Sequence, residues 1–190
     1  MPDLPHRKPA RLPGHDYASP GAYFITICTH GRACTLGAII DDRIVPSVLG
    51  GIVVGVWNAL PSHFPGIALD AFVLMPNHLH GIVMIEEQPP AGGGIDPRET
   101  VGAKHASPLR AAAGKARGTT EGSLPAAVQA FKSSAAREIN RVRGTPGAAV
   151  WQRGYFDHII RTPDDLDRLR AYIESNPLRW ALDQENPIHA

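Results

Sequence analysis

Two histidines separated by one residue, His78 and His80, are the sharpest chemical feature of this 190-residue sequence. On a β-strand, successive side chains point to opposite faces. Both imidazoles would therefore point the same way, about 7 Å apart along the strand, while Leu79 points into the other layer. Two imidazoles on one face can supply two ligands of a metal site. By itself the spacing is weakly specific, because one histidine of such a pair is often a hydrogen-bonded surface or core group, so a metal site needs a third ligand.

A candidate for that third ligand lies near the end of the chain. Tyr172 and Asn176 are four residues apart, which places them about 40° apart around a helix. Tyr172 lies on the flank of an apolar stripe made of Leu166, Leu169 and Ile173, and Asn176 lies between Tyr172 and that stripe. The Tyr172 ring would pack at the edge of the core, with its hydroxyl directed toward whatever the helix covers. The alternative is a core-edge tyrosine and an asparagine that caps the helix before a proline.

Short apolar runs predict the strands that would position these residues. They are dense in β-branched and aromatic residues and are bounded by turn residues. They cover residues 22–29, 67–75, 78–85 and 155–161. The second and third runs are joined by Pro76–Asn77 and predict an antiparallel hairpin. Asp70, the lone charge of its run, would pair with an arginine or hold a metal-binding histidine.

Apolar residues at spacings of three and four predict helices over residues 47–60 and 124–142. A last helix is predicted from Thr162 as N-cap, with Pro163 in its first position, to about Asn176. The order strand, helix, strand, strand, helix, strand, helix favours an α+β fold. We therefore expect an antiparallel sheet covered by helices on one face.

Composition limits the class of protein. The net charge of +1 excludes a histone-like nucleic-acid binder that relies on bulk charge. No apolar run is long enough to span a bilayer and no signal-peptide core is present, so we expect a cytoplasmic protein without membrane contact. The absence of a Gly-rich strand-to-helix turn argues against a dinucleotide or P-loop site. We expect a single domain over 1–190, with a polar lead-in at 1–15 and a low-complexity insertion at 88–123.

Positive charge is concentrated in one stretch of the chain. Residues 131–153 contain a single acidic residue, Glu138, and five basic residues: Lys132, Arg137, Arg141, Arg143 and Arg153. This pattern fits a solvated helix face or a local basic surface.

Three separated segments resemble one known family. The run FVLMPNHLHGIV around His78 and His80 is similar to the HUH motif (His, bulky apolar, His) of IS200/IS605-type single-tyrosine transposases. The segments WQRGYFDHIIR and RLRAYIESNPLRW resemble the C-terminal part of the REP-associated tyrosine transposase branch. The run GAYFITICTHGRACTLG resembles the family's first strand and following hairpin. Together the segments lie within residues 16–87 and 124–181.

This resemblance implies a fold, an activity and a set of site residues. The fold would be a ferredoxin-like antiparallel sheet with packed helices, as in HUH endonucleases. The activity would be cleavage of single-stranded DNA near a hairpin, with Tyr172 attacking a phosphate to form a 5′-phosphotyrosine link. His78, His80 and Asn176 would hold a divalent cation, Mg²⁺ or Mn²⁺. The residues of the Tyr-x-x-x-Asn element match the REP-associated branch.

The resemblance also implies a DNA-binding role for the basic stretch. Its basic residues would position the phosphate backbone: Lys132, Arg137, Arg141, Arg143 and Arg153. Trp151, Tyr155 or Phe156 would stack on unpaired bases, although Trp and Tyr at these positions also fit a core role.

The same residues also fit two other functions. A module of the same fold that has lost catalysis would bind hairpin DNA and form no covalent adduct. An unrelated histidine-based metal hydrolase would need a carboxylate or a third histidine near His78 and His80. The family resemblance also leaves the oligomeric state open, because insertion-sequence relatives work as dimers and REP-associated relatives can act as monomers.

Overall fold

Six strands, four α-helices and two short 3-10 helices are present in the computed structural model, which describes residues 12, 14–87, 120, 122–183 and 186. The strands are β1 (Gly21–Cys28), β2 (Gly37–Ile40), β3 (Arg43–Pro46), β4 (Ile67–Leu74), β5 (His78–Ile85) and β6 (Phe156–Ile160). The helices are α1 (Val48–Asn58), α2 (Leu60–His63), α3 (Leu124–Arg143) and α4 (Pro163–Ser175). The 3-10 helices are His30–Arg32 and Pro177–Leu182.

The main sheet has the strand order β4-β5-β1-β6, and every neighbouring pair is antiparallel. Along the chain, its elements follow the order β1, α1, β4, β5, α3, β6. This βαββαβ order, with β1 and β5 in the middle, is the ferredoxin-like arrangement. The predicted α+β fold class is therefore confirmed. The predicted strands agree with the observed strands to within one or two residues at each end.

Helices cover both faces of the sheet, so the expectation of helices on one face is wrong. Helices α1 and α3 pack on the face that carries Leu79 and Ile25. Helix α4 packs on the opposite face, against Phe24 and Ile82. The physical reason is that β1 and β5 carry buried apolar residues on both of their faces, Phe24 and Ile82 among them on the α4 side. A single layer of helices would leave one apolar face in water.

Glycine permits the close approach of α1 to the sheet. At Gly81 in β5, an added Cβ would lie 2.5 Å from the Trp57 ring, so only glycine lets this indole pack directly on the strand. Helix α1 begins after Ser47, whose hydroxyl accepts a hydrogen bond from the Gly50 amide at 3.1 Å. This side-chain cap satisfies one backbone N–H that has no partner within the helix.

A small hairpin of β2 and β3 precedes α1, as the family resemblance implied. Its turn residues Asp41 and Asp42 have φ values of 48° and 59°, in the left-handed region. The predicted lead-in at 1–15 and insertion at 88–123 fall almost wholly outside the described residues. Within the part of the chain that is described, no helix has the length and apolar character needed to cross a membrane.

Candidate active site

His78 and His80 stand at the start of β5 and face helix α4. Their ring centroids are 4.6 Å apart, and their Nε2 atoms approach to 3.1 Å. Both side chains point to the same side of the sheet, as strand alternation predicts. The Nε2 atoms therefore converge on one point between β5 and α4, which is the arrangement that a shared cation requires.

Burial keeps both imidazoles neutral at physiological pH. His78 is fully buried and His80 is 4% exposed. Desolvation lowers the pKa of His78 to about 4, with the Asp183 carboxylate acting in the opposite direction and Arg32 acting in the same direction. Desolvation, with a smaller contribution from His78, lowers the pKa of His80 to about 3. A metal binds the neutral ring, and at pH 7 neither imidazole has to lose a positive charge before it can bind one.

Tyr172 reaches this pair from helix α4. Its hydroxyl oxygen lies 3.3 Å from Nε2 of His80, and the two ring centroids are 5.2 Å apart. Phe24 stacks on the His80 ring at 5.3 Å and makes an edge contact with Tyr172 at 6.0 Å. The aromatic contacts hold the phenol against the imidazole, so the structure brings together Tyr172 and both predicted histidines.

The N-terminal end of helix α4 is defined by its predicted cap. The Thr162 hydroxyl accepts a hydrogen bond from the Asp165 amide at 3.2 Å, and Pro163 occupies the first turn. Leu169 and Ile173 bury their side chains against the sheet. Tyr172, between them in sequence, is thereby turned toward His80.

Asn176 ends helix α4 one turn after Tyr172 and is 2% exposed. Its side-chain oxygen Oδ1 is buried and accepts no hydrogen bond from the described residues. A buried amide oxygen without a partner costs free energy, on the order of 1–3 kcal/mol. This oxygen can accept a cation or a water molecule, as the predicted ligand role of Asn176 requires.

Asp183 is a candidate ligand that the sequence did not reveal. Its Oδ2 lies 3.8 Å from Nε2 of His78. The ligand atoms of His78, His80 and Asp183 all lie within 4.8 Å of one another. The 3-10 helix Pro177–Leu182 delivers this carboxylate and places the Trp180 ring 6.0 Å from the His78 ring. No local sequence motif marks Asp183. It follows the 3-10 helix directly and lies more than a hundred residues after the histidines in sequence.

The donor set fits a divalent cation of intermediate hardness. It comprises two imidazole nitrogens and the Asp183 carboxylate, and the family resemblance predicts the unpartnered Asn176 oxygen as a further ligand. Imidazole suits transition metals, while carboxylate and amide oxygens suit Mg²⁺ and Mn²⁺. Mn²⁺ therefore matches the mixed set well, with water or phosphate oxygens available to complete its coordination.

The predicted DNA-binding residues of α3 lie on the other side of the sheet. Lys132 donates from Nζ to the backbone carbonyls of Gln152 and Gly154, both at 2.7 Å. Trp151 is 8% exposed, and its Nε1 donates to the Lys132 carbonyl at 3.1 Å. The buried indole favours the alternative of a core residue. The structure does not bring these two residues to the histidine site.

The other basic residues that were predicted to bind DNA are exposed and are not part of the histidine site. Arg141 forms an ion pair with Glu138, three residues earlier on α3. Arg137, Arg143 and Arg153 are exposed. Of the three aromatic candidates for base stacking, Phe156 is the exposed one, at 57%. Its ring contacts Phe24 at a centroid distance of 6.4 Å, which places it at the rim of the histidine site.

Comparisons with known proteins agree with this architecture. No protein-family model matches the chain. An uncharacterized protein of Haemophilus influenzae is 37% identical over 183 residues, covering 94% of this chain and 92% of that protein. A solved REP-associated tyrosine transposase, bound to a REP hairpin, superposes with a TM-score of 0.55 at 15% identity, covering 89% of this chain and 73% of that chain.

A second solved structure, a transposase candidate from Deinococcus radiodurans, gives a TM-score of 0.39 at 17% identity, covering 86% of this chain and 96% of that one. That similarity is too low to add to the fold assignment. The first superposition confirms the fold that the motif resemblance implied. The chain belongs to the family of the Haemophilus influenzae protein, and its fold is that of the REP-associated tyrosine transposase.

Proposed function

We propose that the protein is a metal-dependent, single-stranded DNA endonuclease and strand transferase that acts at DNA hairpins through a 5′-phosphotyrosine intermediate. One observation carries this proposal. The Tyr172 hydroxyl lies 3.3 Å from Nε2 of His80, which itself lies 3.1 Å from Nε2 of His78. A potential nucleophile and a potential cation site therefore share one buried point.

The proposed reaction exchanges one phosphoester bond for another. The Tyr172 oxygen attacks a backbone phosphorus, a bond forms between them, and the bond from phosphorus to the 3′-oxygen breaks. The phenol proton leaves and the 3′-oxygen gains a proton, so the products are a 5′-phosphotyrosine and a free 3′-hydroxyl. No water is consumed, so the reverse attack by a 3′-hydroxyl can rejoin DNA without an external energy source.

A tyrosine needs assistance in this role because its phenol has a pKa near 10. A divalent cation supplies charge stabilisation on the non-bridging phosphate oxygens. His78, His80 and Asn176 would hold it, with Asp183 as a further ligand. Phe24 orients the Tyr172 ring through its edge contact, and burial of both histidines excludes water from the nitrogens that bind the cation.

Hairpin DNA is the substrate that the fold favours. The structural neighbour with the same fold was solved bound to a REP hairpin. Phe156, exposed beside Phe24, would stack on an unpaired base that flanks the scissile phosphate. The exposed arginines Arg137, Arg143 and Arg153 would contact phosphates away from the site of cleavage.

The proposal is tested with a labelled hairpin oligonucleotide that carries a single-stranded flank. In Mn²⁺, the wild-type protein should give a covalent adduct that survives denaturing electrophoresis, and EDTA should prevent it. Tyr172→Phe should abolish the adduct while leaving hairpin affinity unchanged. Tyr155→Phe is the matched control, because Tyr155 packs with the core on the α3 side of the sheet. Removing its hydroxyl should leave the amount of adduct unchanged. An undiminished adduct from Tyr172→Phe would contradict the nucleophile assignment.

Asp183 favours a second candidate function, a metal hydrolase that activates water. A site made of two histidines and a carboxylate is the ligand set that this activity requires. Such an enzyme would cleave a phosphodiester with Tyr172→Phe as fast as the wild type and would leave no protein bound to DNA. A protein that binds the hairpin with salt-dependent affinity, and yields neither adduct nor cleavage, would instead be a silent module of the same fold.

A further inference from the structure

The second nitrogen of each imidazole is held by a neighbouring side chain. Nδ1 of His78 lies 2.8 Å from Oδ1 of Asn77, and Nδ1 of His80 lies 2.8 Å from Oγ1 of Thr26. Such contacts decide which ring nitrogen carries the hydrogen, and therefore which nitrogen has the lone pair that binds a cation. The two partners differ in chemistry, because an amide oxygen only accepts a hydrogen bond whereas a hydroxyl can donate or accept.

Asn77 fixes the tautomer of His78. The Asn77 side chain is fully buried, and its Nδ2 donates to the Arg32 carbonyl at 3.1 Å. That bond orients the amide so that its oxygen faces His78. Because this oxygen can only accept, Nδ1 of His78 must carry the hydrogen. Nε2 of a neutral His78 is then a bare acceptor that points at His80.

The contact between the two rings then fixes His80 in the metal-free protein. Two bare nitrogens at 3.1 Å would repel each other, so Nε2 of His80 donates its hydrogen to Nε2 of His78, and the Tyr172 hydroxyl, 3.3 Å from the same Nε2 of His80, does not donate to it. A neutral His80 has no hydrogen left for Nδ1. The Thr26 hydroxyl must therefore donate to Nδ1 of His80 in this state.

A cation held by both histidines through Nε2 would reverse this arrangement, since each Nε2 would then have to offer a lone pair. His80 would lose the hydrogen at Nε2 to solvent and gain one from solvent at Nδ1, which would leave the ring neutral and the proton count unchanged. We propose that Thr26 is a positioning residue for His80, whose hydroxyl turns from donor to acceptor and so stabilises both tautomers of the ring. This inference rests on the proposed metal site, and Thr26 acts only through His80.

The position of Thr26 suits this role. Thr26 lies on the central strand β1, directly opposite His80 on β5 and opposite Phe156 on β6. It is half-buried, and valine has almost the same shape and an equal preference for strands. Thr26→Val therefore removes the hydroxyl with little change to folding, and Thr26→Ser keeps the hydroxyl as the matched control.

The test reads ring tautomers directly in the full chain by two-bond ¹H–¹⁵N correlation spectra, without metal and with Zn²⁺ as a diamagnetic probe. In the metal-free protein we expect His78 with hydrogen on Nδ1 and His80 with hydrogen on Nε2. On addition of Zn²⁺, His80 alone should move its hydrogen to Nδ1. Finding His80 with hydrogen on Nδ1 before any metal is added would overturn the inference.

Calorimetric titration with Mn²⁺ gives the second readout. Thr26→Val should bind Mn²⁺ about tenfold more weakly than the wild type, while Thr26→Ser should restore most of the affinity. Equal affinities for all three proteins would show that Thr26 only packs. These results do not depend on DNA, so correct tautomers in a protein that forms no adduct would contradict the proposed function and leave the role of Thr26 intact.

Discussion

Arg170 of helix α4 forms a bidentate ion pair with Asp70 of strand β4. Its Nε donates to Oδ1 of Asp70 at 2.8 Å, and its Nη2 donates to Oδ2 at 2.6 Å. Asp70 is the lone charge in its strand, and the pairing with an arginine is one of the two roles that its position indicated. Arg170 lies two residues before Tyr172 on the same helix. The ion pair therefore ties the helix that carries the proposed nucleophile to the edge of the sheet.

Breaking this ion pair should reduce cleavage more than it reduces stability. Asp70→Asn keeps the size of the side chain and removes the charge, so α4 loses one fixed point and Tyr172 is positioned less accurately. We expect adduct formation to slow by about tenfold, because small displacements of a nucleophile are costly. The rate of adduct formation in Mn²⁺ is the measurement. Asp167→Asn, which removes the other carboxylate bound to Arg170, is the control and should change the rate little.

Phe156 provides a test of how single-stranded DNA reaches the site. Phe156→Ala should weaken hairpin binding by about 1–3 kcal/mol, roughly five- to 150-fold, if one base stacks on this ring. Phe156→Trp should preserve or improve the affinity. Because the side chain is 57% exposed, its loss should leave the melting temperature nearly unchanged.

The control for Phe156 is Val142→Ala, which removes another exposed apolar side chain from α3 on the far side of the sheet. Fluorescence anisotropy with a labelled hairpin measures both affinities at one salt concentration. Equal affinities for Phe156→Ala and Val142→Ala would exclude stacking on Phe156.

Local patterns in the sequence were sufficient for much of this fold. Strands β1, β4 and β5 are apolar runs with clear boundaries, and the start of α4 was indicated by Thr162 and Pro163 together. The placement of α4 on the second face was not predicted, because an apolar stripe on a helix does not say which sheet face it covers. Strands β1 and β5 contain the evidence for this placement, because they carry buried apolar residues on both faces and each face needs a layer of helices to cover it.

The candidate site was predicted in part for a similar reason. His78 and His80 converge because alternation along one strand is a local property. Thr26 and Asp183 were not predicted because both are distant from the histidines in sequence. Strand register brings Thr26 to His80, and a 3-10 helix brings Asp183 to His78. Trp151 shows the opposite kind of error. It lies among basic residues in the sequence, which suggested DNA binding, but its indole is buried in the core.

The buried histidines should make stability depend on pH. Their folded-state pKa values, about 4 and about 3, lie below the usual 6.5, so the unfolded chain binds more protons in acid. Stability is therefore fully present above pH 6.5 and falls as the pH decreases toward 4. Each histidine contributes a loss of about 1.4 kcal/mol per pH unit within that window.

Urea unfolding of the metal-free protein at pH 7.5 and at pH 5 measures this effect. The double variant His78→Gln/His80→Gln replaces both titrating rings by neutral amides and should show a smaller loss between the two pH values. A wild-type loss equal to that of the double variant would mean that the two rings are protonated in the folded state at pH 5.

Asn176 allows stability and metal binding to be separated. Its Oδ1 is buried without a hydrogen-bond partner among the described residues, so an apolar side chain of similar size should relieve that cost. We expect Asn176→Leu to raise the stability of the metal-free protein by about 1 kcal/mol. The same substitution should weaken Mn²⁺ binding at least tenfold and abolish the adduct, because the proposed ligand is gone.

Asn140→Leu is the matched control for Asn176→Leu, since Asn140 is also a buried asparagine of a helix. Its Nδ2 donates to the Ala148 carbonyl at 2.8 Å, and its Oδ1 accepts from the Thr145 hydroxyl at 3.2 Å. Removing these bonds should lower the melting temperature and leave Mn²⁺ affinity unchanged. If Asn176→Leu lowers stability as Asn140→Leu does, the Asn176 amide is a structural group; if it binds Mn²⁺ normally, Asn176 is not a ligand and Asp183 completes the site with the two histidines.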